Sequence, residues 1–292
     1  MALVPREKQL ENAIAQALRG DGDALAALLR RHSQFPGPKP NLVFADEVAA
    51  TLAGTPADAF RVAEQLLAHH PGIAPGGTES EFLPVVGLIV AGAAVDRPSP
   101  SEGRKRSRDP ELERVLQWLH DASDDLRFHV RDAAVLVLGR LFARHEAALW
   151  EAVPSFASHF FAAATFMRTL GDRKVADGVV SGESAKMFLE HALSILLNAS
   201  RSDERYPGYK ELLGAAPKTW TLLAGRFGPD VLETLLPAAR SREPGLYNLA
   251  AEVVRGSQIR GRYPEAVKRI EAARNERPRR IDPRNERLKK KR

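Results

Sequence analysis

Large apolar residues recur three and four positions apart along most of this chain, and alternation of β-branched and polar residues is not sustained anywhere. That spacing puts apolar side chains on one face of a 3.6-residue helix, so it predicts helices and gives no basis for a sheet. Leu10, Ile14, Ala17 and Leu18 form one stripe and Leu25, Leu28 and Leu29 the next, with Gly20-Asp21-Gly22 breaking the chain between them. Helix starts are marked at Thr55-Pro56, Asp109-Pro110 and Gly228-Pro229. Proline is tolerated there because a first-turn N–H has no intrahelical acceptor to lose. Helices are predicted near 7–19, 23–33, 42–53, 56–70, 80–95, 110–121, 125–145, 155–170, 183–199, 208–225, 229–240 and 244–255. The short connectors pair them as antiparallel neighbours, about six pairs in all.

Four segments depart from that pattern. Phe82 to Val95 is almost wholly apolar, but Pro84, Gly87 and Gly92 interrupt it and it is too short to span a bilayer. We read it as a buried helix, with no membrane insertion. Phe35 to Asn41 holds three prolines, which stiffen a corner that Asn41 can close by capping the next helix. Asp96 to Asp109 combines Pro, Ser and basic residues, and Arg104, Lys105, Arg106 and Arg108 are candidate phosphate contacts. Gly171 to Glu183 carries no pattern that assigns it.

The stretch Asp124 to His145, DDLRFHVRDAAVLVLGRLFARH, has a particular order of residues. An acidic N-cap at Asp124 or Asp125 precedes Val130-Arg131, Ala133 and Ala134 follow, and Leu138-Gly139 stands where a neighbouring helix would touch. In this it resembles the second helix of a HEAT repeat. The resemblance implies an all-α, right-handed α-solenoid over residues 1–255, which presents a long concave face to a partner. Arg127 and Arg131 lie four residues apart on one side of that helix. By the resemblance Arg131 pairs with an acid such as Asp125 or Asp132; a stack of such arginines on a concave face is also a way to hold a phosphate backbone.

Charge is distributed unevenly. Residues 256–292 contain fourteen Lys or Arg against five Asp or Glu, whereas residues 1–255 carry about −3. The clusters around Arg279 and Arg280 and at Lys289, Lys290 and Lys291 leave few large apolar residues, so 256–292 is expected to be a basic, largely disordered tail, with a helix around Tyr263 to Ala273 and disorder beyond Asn275. The partner expected from this is a protein, or duplex DNA held without sequence preference, with the 97–108 loop and the tail adding electrostatic capture. The chain has no cysteine, and its N-terminus becomes charged too early for a signal peptide. A reducing, cytoplasmic setting is the expectation.

Catalytic chemistry has little footing. The eight histidines show no metal-ligand spacing. His32, His69, His70, His120 and His145 instead fall near predicted helix C-termini, where an imidazole can meet free carbonyls. There is no phosphate-binding glycine motif and no Gly-x-Ser-x-Gly elbow, so no cofactor, no metal and no catalytic residue is assigned. In length, helical class and terminal basicity the chain is also similar to the alkylpurine DNA glycosylases built from HEAT-like repeats. That similarity implies a basic groove for duplex DNA, tryptophans against the lesion and a stabilising carboxylate. The family's Trp-x-x-x-Asp pattern has no counterpart here: Trp118 and Asp121 are one residue too close, and Trp150 and Trp220 lack an aspartate four residues on. The leading expectation is a non-enzymatic binding scaffold, with such a glycosylase, or an inactive DNA-binding relative, as the alternative.

Overall fold

A computed structural model describes residues 5–96 and 109–276. The described residues form helices joined by turns and loops, with no strand among them. The chain forms two compact units that divide between Phe156 and Ala157. The helical domain expected over 1–255 spans both units.

The first unit contains α1 (Arg6–Leu18), α2 (Asp23–His32), α3 (Leu42–Leu52), α4 (Pro56–Leu67), α5 (Phe82–Val95), α6 (Pro110–Ser123) and α7 (Phe128–Phe156). Its centre is α5, whose residues are buried almost all round, as a helix apolar on every side must be. It packs chiefly against α4, α3 and α7. Glycines in α5 bring neighbours close. A Cβ on Gly92 would lie 2.4 Å from Val137 Cγ1 of α7, and one on Gly87 would lie 3.2 Å from the Ala63 carbonyl oxygen of α4. An Arg140–Asp46 ion pair, 2.7 Å and 3.0 Å in its two bonds, joins α7 to α3.

Local caps explain where these helices begin. The Asn41 carboxamide accepts from Phe44 N at 3.2 Å and donates to His32 O at 2.9 Å, closing the proline-rich corner from both sides. The Asp109 carboxylate accepts from Glu111 N and Leu112 N, and Pro110 opens α6. The α7 helix runs past its predicted end at 145. His145 departs from helical geometry (φ −120°, ψ 25°) and bends the chain, and the second half continues to Phe156.

The second unit contains α8 (Phe160–Leu170), α9 (Arg173–Gly178), α10 (Gly182–Leu197), α11 (Pro207–Phe227), α12 (Pro229–Glu233), α13 (Leu236–Arg240), α14 (Pro244–Arg255), α15 (Ser257–Arg262) and α16 (Pro264–Asn275). Its axis is α11, packed along α8 and against α14 and α12. The segment that pattern alone did not assign is α9, which Asp172 caps by accepting from Lys174 N and Val175 N. The predicted 229–240 helix is two short ones, with Pro237 in the first turn of α13.

The first part of the expected tail is folded. Ile259, Ala266, Val267, Ile270 and Ala273 are buried. Through them α15 and α16 pack on α14, α13 and α12. Val267 and Ile270, three residues apart, with Ala266 and Ala273, give α16 one apolar stripe. Helical structure therefore extends to Asn275.

Candidate functional site

The HEAT-like segment builds a clamp at the start of α7. Arg127 is only 5% exposed. Its guanidinium donates to both oxygens of the Asp125 carboxylate at 2.9 Å and 2.7 Å. Nη1 reaches across to the carbonyls of His69 at 2.7 Å and Ala74 at 3.0 Å. Planar geometry and several fixed donors make arginine suited to such a junction. Arg131, also buried, donates from Nη1 to Asp125 O at 2.6 Å and lies over the Phe128 ring at 5.9 Å.

Glu81 completes the clamp from the other side. Its side chain, 1% exposed, accepts from Gly77 N at 2.6 Å and from His129 N at 3.1 Å, at the positive end of α7. The 69–78 loop and the α6–α7 turn are thereby tied together by charge-assisted hydrogen bonds. Three large apolar side chains stand outward on these tied segments: Ile73 (57% exposed), Leu126 (80%) and Phe128 (52%).

A second feature lies where α6 faces the second half of α7. The bend at His145 leaves a groove of about 740 Å³. Leu112, Leu116, Ala148 and Ala152 supply its apolar lining, and Glu113, Gln117, Arg144 and Glu151 its polar one. Arg144 is engaged with Asp96, donating to its carbonyl at 2.8 Å and lying 3.4 Å from its carboxylate. His145 Nε2 lies 3.1 Å from Val95 O. His120 packs edge-on against Phe156, with ring centroids 5.5 Å apart, and neither of its ring nitrogens has a hydrogen bond.

The structure distributes the sequence candidates as follows. Arg127 and Arg131 are brought together, but inward, on the fold's own carboxylate and carbonyls. Arg104, Lys105, Arg106, Arg108, Arg279, Arg280, Lys289, Lys290 and Lys291 lie outside the described residues. None of the tryptophans is exposed. Trp118 packs on Phe60 beneath the Arg114 guanidinium, Trp150 donates to Glu146 at 2.8 Å, and the wholly buried Trp220 donates to Thr234 Oγ1 at 2.9 Å. His69 Nδ1 lies 3.1 Å from Gln65 O and 3.2 Å from Leu66 O, at the end of α4. Among the described residues no group of His, Asp and Glu side chains gathers to hold a metal ion, and no helix is long and apolar enough to cross a membrane.

Sequence reasoning missed the apolar triad and the groove. Leu126 and Phe128 had a visible signal, since they flank Arg127 in a stretch otherwise occupied by acids and a histidine. The groove's paired stripes, Leu112 with Leu116 and Ala148 with Ala152, are visible too. The bend that separates them is not, because no proline or glycine marks His145. Compared with known protein families, curated proteins and solved structures, the chain matches none.

Proposed function

We propose that this protein is a non-enzymatic, HEAT-like helical scaffold that docks a protein through the surface formed by Ile73, Leu126 and Phe128. The observation that carries this reading is the combination of exposure and rigidity at the clamp. Keeping each such side chain in water forgoes about 1.5–3 kcal/mol relative to burying it. A buried Arg127–Asp125 pair and the buried Glu81 nonetheless hold the segments that present them. Fixed backbone lowers the ordering cost of association, so the surface is suited to a partner that covers it.

Contact with nucleic acid belongs in this reading to the basic segments 97–108 and 277–292, not to Arg127 and Arg131, whose guanidiniums are turned into the fold. A photo-crosslinking amino acid placed at Leu126 or at Ile73, with Lys174 as an exposed control, tests the docking surface in cells. A discrete adduct of one mass at both clamp positions is expected, absent at Lys174 and lost with Phe128→Asp. Adducts no different from those at Lys174 would overturn the proposal.

A further inference from the structure

We infer that Phe128 is the anchor of the docking surface, and that His129, backed by Phe35 of the proline-rich corner, is the residue that positions its ring. This rests on the docking reading above and deepens it, by naming the side chain that meets the partner in a fixed orientation and what fixes it.

Exposure alone does not rank Ile73, Leu126 and Phe128. Phe128 differs in what stands beside it. The His129 ring meets the Phe128 ring nearly edge-on, with centroids 5.4 Å apart and planes at 74°. The guanidinium carbon of Arg131 lies 5.9 Å from the same centroid. Edge-to-face rings and a cation over a ring face are both favoured arrangements. Each of the two neighbours is itself held. Arg131 donates to Asp125 O at 2.6 Å, and His129 N donates to the buried Glu81 carboxylate at 3.1 Å.

Side chains adjacent in sequence on a helix do not ordinarily face each other, so the lean of His129 on Phe128 has a cause outside α7. Phe35 supplies it. Its ring is buried and lies 4.9 Å from the His129 ring, with planes at 57°. The corner that carries Phe35 is fixed in turn: Phe35 N donates to Ser33 Oγ at 3.1 Å, Gly37 N donates to Gln34 O at 2.8 Å, and Asn41 closes the corner. The three rings thus form a row, from buried Phe35 through half-buried His129 to exposed Phe128.

Freezing a side chain on association costs affinity, and a ring frozen beforehand avoids that cost. A projecting aromatic ring on a fixed base is what enters a desolvated pocket at the centre of an interface. The partner's complement to Phe128 is therefore an apolar pocket that admits a phenyl ring. Ile73 and Leu126 add apolar area to the same surface.

The test uses the full chain with para-fluorophenylalanine at position 128, read by fluorine NMR, alongside the crosslinking protein with the photoreactive residue at Leu126. One fluorine signal, displaced from that of the free amino acid, is expected. His129→Ala should move it toward the free value, and His129→Phe, which keeps a ring there, should leave it displaced. Adduct yield should fall by about threefold to tenfold with His129→Ala, the range that freezing one side chain covers, and recover with His129→Phe. A role in stability alone would move the melting temperature without following the ring. Should His129→Ala unfold the protein, His129→Gln, polar and without a ring, takes its place. A fluorine signal or an adduct yield that the ring-free variant leaves unchanged, or a loss that His129→Phe does not restore, would overturn the inference and leave the docking reading standing. No adduct in the protein with His129 intact would overturn the docking reading, and the anchor role of Phe128 with it.

Discussion

At the scale of single residues, the same arginine can grip a partner or hold its own fold, and burial separates the two. Spacing alone puts Arg127 and Arg131 on one side of a helix, which suits both roles. What it does not carry is that the carbonyls of His69 and Ala74, more than fifty residues earlier, arrive beside Arg127. Those partners come from a loop whose position depends on the packing of α4 and α5, and no local pattern encodes that. The consequence is measurable. Arg127→Ala would leave the Asp125 carboxylate without its charge partner in a largely buried place, and losses of this kind run to about 3–5 kcal/mol. Urea denaturation should show such a loss, and adding Asp125→Asn should recover part of it by removing the stranded charge. A loss below about 1 kcal/mol, typical of surface pairs, would mean that the pair is solvated and that the clamp does not hold the loop.

At the scale of elements, several helix starts were legible from a capping residue or a first-turn proline, although the Asp172 cap of α9 was not. Thr55-Pro56, Asp109-Pro110, Gly228-Pro229 and Asn41 all stand where the expected helices begin. Ends and breaks were less legible: α7 continues past 145, and 229–240 divides in two. In the basic tail only the helix near 263–273 was legible, and α15 before it was not, because the apolar residues there are few. Ile259, Val267 and Ile270 suffice only because α14, α13 and α12 stand ready to cover them, a fact of assembly and not of local composition. A close approach of helices lies at Gly92 of α5, where an added Cβ would lie 2.4 Å from Val137 Cγ1. Gly92→Ala should therefore destabilise the first unit by about 1–3 kcal/mol through overpacking, despite alanine's better helix propensity. Val137→Ala should restore stability to the Gly92→Ala protein by making room, although alone it removes buried apolar volume and costs stability. Additive effects of the two in thermal melts would show that the residues are not in contact.

At the scale of the whole molecule, net charge is a poor guide until it is placed. Residues 277–292 hold nine Lys or Arg and two acids, and residues 97–108 five and one. In the second unit, by contrast, Arg260 and Arg269 are paired with Glu271 and Glu233, and Lys268 with Glu265. Basic side chains already matched by acids displace few counterions from DNA, so the two basic segments are where weak, sequence-independent duplex binding would arise. Such binding falls in the range of about 10⁻⁴–10⁻⁶ M near physiological salt and weakens steeply as salt rises. Deleting 277–292 should then lower affinity for labelled duplex and flatten the dependence on salt, since each lost phosphate contact removes about 0.9 from the slope of log K against log salt. Replacing Arg104, Lys105, Arg106 and Arg108 with alanine should flatten it further. Leu126→Asp with Phe128→Asp should leave it unchanged, because the docking surface proposed for protein carries no cation. Unaltered affinity and slope after both basic segments are neutralised would move the contacts onto the helical units. Failure of the intact chain to bind duplex at low salt would remove nucleic acid from the reading and leave the scaffold with protein partners alone.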